Sequence, residues 1–126
     1  MKIKLLGLAT LTAVLLMSAT LHEGSIYSTK TGNVNFFSHT DVEDIKAKNH
    51  KAQAAFDAHS GKIQFSLLVK DFEFKKALMQ EHFNENYMES DKFPRAKFNG
   101  TIDSISQIKF NTDGTYTSKV SGKLTI

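Results

Sequence analysis

The side chains best equipped for chemistry in this chain are five histidines and a run of three glutamates. His22, His39, His50, His59 and His82 could ligate zinc or copper through neutral imidazole. Glu81, Glu85 and Glu89, four residues apart, could pair as acid and base or hold a divalent cation. Neither set has the context such chemistry needs. No two histidines stand at i, i+4 on a helix, as in H-E-x-x-H, and His50 and His59 fall in expected loops. The glutamate spacing describes the water-facing side of an amphipathic helix. His82, beside Phe83, is expected to make a structural hydrogen bond that seats its helix, with a ligand or catalytic role as the alternative. The absence of cysteine excludes disulfides, a thiolate nucleophile, a lipid-modified cysteine anchor and cysteine metal ligation. There is also no G-x-S-x-G elbow and no phosphate-cradling glycine loop, so no catalytic residue, metal or cofactor is assigned. The Asn99-Gly100-Thr101 sequon falls in an expected strand and is read as chance.

The aromatic residues are a different kind of signal. Phe36, Phe56, Phe65, Phe72, Phe74, Phe83, Phe98 and Phe110 are too many for an ordinary surface and must be buried together. A small barrel of about eight strands can fill itself with such side chains or enclose one ligand, and the residues by themselves do not choose between the two.

The elements that would position these residues emerge from the periodicity. Ser25–Ser28 reads as a short strand, with a turn over 29–33, and 33–39 alternates, placing Val34, Phe36 and Ser38 on one side. Residues 42–49 fit a helical turn through Val42 and Ile45, or a strand through Glu43, Ile45 and Ala47. Residues 52–57 and 62–70 form a hairpin around Ala58-His59-Ser60-Gly61. Its second arm is the clearest strand, with Ile63, Phe65, Leu67 and Val69 on one face. A helix spans 76–88, with Met79, Phe83 and Tyr87 on one stripe, and Pro94 stops it and launches an extended chain. Alternation resumes over 96–102 and continues through 106–110. A turn at Thr112-Asp113-Gly114-Thr115 then leads to a last strand, 116–126.

The run from His82 to Gly100, written H-F-N-E-x-Y-x-E-S-x-x-F-P-x-A-x-F-x-G, resembles the YceI-like family of periplasmic lipid-binding barrels. The resemblance extends from about Gly32 to Ile126. It takes in Gly32-x-Val34-x-Phe36-x-Ser38, Phe56-Asp57 before Gly61-Lys62-Ile63-x-Phe65, Asp113-Gly114-x-Tyr116, and Val120-x-Gly122-x-Leu124-x-Ile126. It implies an all-β fold with one short helix, a lipocalin-like antiparallel β-barrel whose apolar cavity takes an isoprenoid-type lipid such as a polyprenyl chain or a quinone. It also favours a strand over 42–49. On strand parity Phe36, Phe65, Leu67, Val69, Phe98 and Val120 are the expected cavity wall, with Met79 and Phe83 over one opening. The family's chain continues beyond the V-x-G-x-L-T-I strand. The barrel is therefore expected to be incomplete, open along one side with an exposed edge.

Residues 1–20 read as a secretory signal, with Lys2 and Lys4 before the apolar run Leu5–Met17, and the domain occupies 21–126. The run is shorter than the roughly 20 residues a spanning helix needs, so an exported, periplasmic or secreted protein is expected rather than an integral membrane one. Its mature form would begin between Ala19 and His22. Two of the 16 basic side chains lie in that signal, which leaves 14 against 13 acidic ones. With the two signs interspersed along the chain, an ordinary solvated surface is expected and nucleic acid is not. The leading reading is a non-catalytic carrier. The others are an enzyme or metal-dependent factor using His82 with nearby carboxylates, and a ligand-free structural or stress-response module.

Overall fold

In the computed structural model, which describes residues 10–14 and 26–126, each strand pairs with its neighbour in sequence. The strands β1 (Thr10–Val14), β2 (Ile26–His39), β3 (Asp44–Asp57), β4 (Lys62–Leu68), β5 (Arg95–Ile102) and β6 (Val120–Thr125) form one antiparallel sheet in the order β1-β2-β3-β4-β5-β6. The all-β class with one short helix therefore holds. Among the described residues the sheet is not closed into a barrel, with β1 and β6 at its edges, in line with the expected incomplete barrel. The expected signal lies outside the described residues except for β1, whose backbone pairs with Asn33–Phe37 of β2.

Two long strands replace the four short segments read between 25 and 57, because each carries a bulge that local alternation mistakes for a turn. Thr29 pairs with Ala54, Gly32 with Ala52 and Val34 with Asn49. Thus β2 has one extra residue in the first interval and β3 has one in the second, and the register is restored. Each bulge reverses which parity faces inward, from Tyr27 and Thr29 to Gly32 and Val34 on β2, and from Ala47 and Asn49 to Ala52 and Ala54 on β3. Such bulges bend a strand and increase its twist. Asn49, fully buried, holds the second one: its side-chain amide donates to the Leu68 carbonyl at 3.1 Å and its Oδ1 accepts from the Lys51 N–H at 2.9 Å. His50 thus sits on a bulged strand, not in a loop.

The helix α1 (Ala77–His82) runs into a π turn over Phe83–Tyr87, closed by a hydrogen bond from the Met88 N–H to the Phe83 carbonyl at 2.8 Å. A π turn adds one residue to the repeat. Met88 therefore takes the inward position expected of Tyr87, which is 60% exposed. Ser90, which is buried, ties the helix to the start of the next segment. Its hydroxyl donates to Asn84 Oδ1 and its N–H to the Asn84 carbonyl, both at 2.8 Å, while Asn84 Nδ2 donates to the Gln80 carbonyl at 3.1 Å. The expected seating bond from His82 is absent: His82 is exposed and its imidazole has no hydrogen-bond partner among the described residues. The seat is Ser90 with Asn84. Ser90→Ala is expected to cost about 1–3 kcal/mol, because it leaves a half-buried acceptor unpaired, and His82→Ala less than about 0.5 kcal/mol. Parallel urea titrations check the contrast.

After β5 the expected strand at 106–110 is replaced by a 3-10 turn over Ile105–Gln107 and an irregular segment. The last strand starts at Val120 rather than Tyr116, because the Tyr116 hydroxyl is engaged inside the loop, donating to the carbonyls of Lys109 and Thr112.

Candidate binding face

The sheet sorts its side chains by chemistry, because residues directly opposite in an antiparallel pair share a face. The inner face collects Tyr27, Thr29, Gly32, Val34, Phe36, Ser38, Ile45, Ala47, Asn49, Ala52, Ala54 and Phe56 from β2 and β3. It continues with Ile63, Phe65 and Leu67, then Ala96, Phe98, Gly100 and Ile102, then Val120, Gly122 and Leu124. None of these is charged.

Of the expected wall, Phe65, Leu67, Val69 and Phe98 are all buried in one cluster with Val34, Ile63 and Ile102, and the rings of Phe65 and Phe98 stack at 5.0 Å. Phe36 and Phe83 pack against the same cluster, their rings 5.5 Å apart, and Phe83 also meets Phe74 at 4.9 Å and Phe72 at 6.0 Å. The π-turn residue Phe83 thereby covers one end of the inner face. Met79 is half-buried on α1. Val120 lies opposite Ile102 on the inner face but is 40% exposed, because β6 has no strand beyond it among the described residues.

A second aromatic group closes the opposite end, where Phe110 meets Tyr27 at 5.3 Å and Phe56 at 5.9 Å and these two stack at 5.2 Å. Tyr27 was not among the expected wall residues. Its position two before Thr29 would have marked it, had the parity reversal after Thr29 been visible.

The polar candidates do not converge. His39 pairs with Asp44 at 2.6 Å, His50 reaches Asn33 at 2.5 Å and Glu73 at 3.8 Å, and His59 lies in the β3–β4 turn. His22 lies outside the described residues. Glu81 and Glu85 are exposed on the helix, while Glu89 lies past its end with φ 48° and pairs with Lys92 at 3.5 Å. Glu43, beside Lys76 at 2.9 Å, raises the pKa of that ammonium by a hydrogen bond and by its charge. No three of His, Asp or Glu among the described residues group to hold a metal. A hollow of about 580 Å³ spans β2 to β5, lined by Ser28, Lys30, Gln53, Ala55, Gln64, Ser66, Lys97 and Asn99 at outward positions and by Thr29, Ala54, Phe65 and Phe98 at inward ones. No described helix is long and apolar enough to cross a membrane.

Among known families, the chain matches the YceI-like domain over residues 24–126. No curated protein and no solved structure matches it.

Proposed function

The chain belongs to the YceI-like family, and on that premise we propose that it is an exported, non-catalytic binding protein that sequesters or carries an isoprenoid-type lipid, a polyprenyl chain or a quinone, against the inner face of its sheet. The observation that carries this reading is the complete lack of charge on that face, from Tyr27 to Leu124. A hydrocarbon chain loses no hydrogen bonds on entering such a surface and gains about 25 cal/mol for each Å² of apolar area removed from water. Export is supported by Lys2 and Lys4 ahead of the apolar run Leu5–Met17.

Mass spectrometry on protein recovered from the periplasm tests both parts. The expected result is a polypeptide that begins between Ala19 and His22 and releases an isoprenoid lipid on organic extraction. An intact Met1 would overturn export, and lipid-free protein that takes up no added quinone or polyprenol would overturn the binding assignment.

A further inference from the structure

We propose that the outer face of the sheet is a docking surface for a bilayer rich in anionic headgroups, a role separate from whatever the inner face holds. Acidic and basic residues are interspersed along the chain, but basic ones predominate at the outward ladder positions of the sheet. Lys46 and Lys48 on β3, Lys62 on β4, Arg95 and Lys97 on β5 and Lys123 on β6 all occupy outward ladder positions and are all exposed.

None of these six cations has a carboxylate partner among the described residues, whereas Lys51, Lys70, Lys76 and Lys92, which lie off those ladder positions, are each paired with one. The carboxylates on the outward side are already engaged. Asp44 holds His39 at 2.6 Å, Asp57 accepts the His59 N–H at 2.8 Å, and Glu73, bridged to Lys48 through the backbone, faces His50 at 3.8 Å. The six cations outnumber the carboxylates Asp44, Asp57 and Glu73 on that side, which leaves an excess of positive charge on the outward positions of β3 to β6.

One of the six, Lys97, also lines the hollow of about 580 Å³, together with Lys30, the hydroxyls of Ser28 and Ser66, the amides of Gln53, Gln64 and Asn99, and Thr29, Ala54, Ala55, Phe65 and Phe98. Positive charge with several hydrogen-bond donors suits the phosphate and glycerol of an anionic lipid headgroup. The same surface presents few rings, Phe37 beneath Lys46 being the one that carries a cation, at 5.6 Å. Stacking platforms of the sort that bind single-stranded nucleic acid are therefore not what it offers.

The test is co-sedimentation of the purified protein with vesicles of equal parts phosphatidylglycerol and phosphatidylcholine, against vesicles of phosphatidylcholine alone. Wild type is expected to partition onto the anionic vesicles and to be released at high salt, as screening requires. The triple variant Lys46→Gln, Lys97→Gln, Lys123→Gln should lose roughly tenfold or more of that partitioning. The variant Lys70→Gln, Lys76→Gln, Lys92→Gln removes the same charge from paired positions off the face and should bind as wild type. All three proteins share one N-terminus, so their differences report the face itself, and circular dichroism confirms that each is folded. Equal binding by the two triple variants, or salt-insensitive binding, would overturn the proposal. Duplex DNA that displaces the protein from vesicles at equal phosphate would overturn the choice of a bilayer as partner.

Discussion

Phe65→Asp is expected to abolish lipid retention and to lower the thermal midpoint of the whole domain. Phe65 is 7% exposed at the centre of the inner face, with its ring stacked on Phe98 at 14° and 5.0 Å. Removing the ring alone, as in Phe65→Ala, costs about 3–5 kcal/mol. A carboxylate there must in addition be stripped of water beside hydrocarbon with no cation on its face, a further penalty of several kcal/mol. Further along the same strand, parity and exposure reverse: Leu68 is 39% exposed on the outer face, and Leu68→Asp should shift stability by no more than about 0.5 kcal/mol. Thermal melts and lipid extraction on the same preparations provide the measurement. A folded Phe65→Asp protein that still carries lipid at the wild-type ratio would remove the inner face from consideration as the binding surface, whereas equal loss in Leu68→Asp would show that any added charge disturbs the sheet.

The second large effect is expected at the junction of β5 and β6. Gly100 and Gly122 face each other across that pair, and the ring of Phe98 folds over the first of them. A Cβ on Gly122 would stand 2.2 Å from the Asn99 carbonyl oxygen and 2.4 Å from the Gly100 Cα, both backbone atoms that cannot swing away as a side chain would. Gly122→Ala should therefore force β6 away from β5 at a cost of about 1–3 kcal/mol, the usual range for overpacking. Hydrogen exchange is expected to show lost protection across Val120–Thr125 while Ile63–Leu67 stays protected. Unchanged protection in β6 would show that the two strands can separate by the needed fraction of an ångström without losing their hydrogen bonds.

What could be read from the residues, and what could not, divides along a physical line. Ile63, Phe65 and Leu67, and likewise Ala96, Phe98 and Ile102, alternate without interruption, so their strands and their inward face are dictated by the pleat alone. Pro94 marks the approach to β5 for an equally local reason. The devices that break a period were invisible. The bulges near Lys30 and His50 split two strands of 14 residues into shorter apparent pieces, and the π turn moved the inward position from Tyr87 to Met88. His82 showed no seating bond because the bonds that hold the helix belong to Ser90 and Asn84, two polar residues whose pairing depends on the path of the chain between them. Phe36, Phe65, Leu67 and Phe98 stand on the inner face because membership of that face depends on parity. Val120 has the right parity but stays partly exposed, since exposure depends also on what lies beside its strand.

The paired bulges of β2 and β3 also bear on how such a protein can change over generations. The surplus residue between Thr29 and Gly32 is cancelled by the surplus between Asn49 and Ala52, about twenty positions later, and only together do they keep both arms of the ribbon facing the core. Loss of a single codon at either place would turn one arm inside out, burying its polar side and wetting its apolar one. Loss at both would restore the register with a straighter ribbon. Point substitutions in this region can therefore accumulate one at a time, but changes in length are heritable only as a matched couple, which ties together the gene's tolerance for deletion at two sites that share no side-chain chemistry.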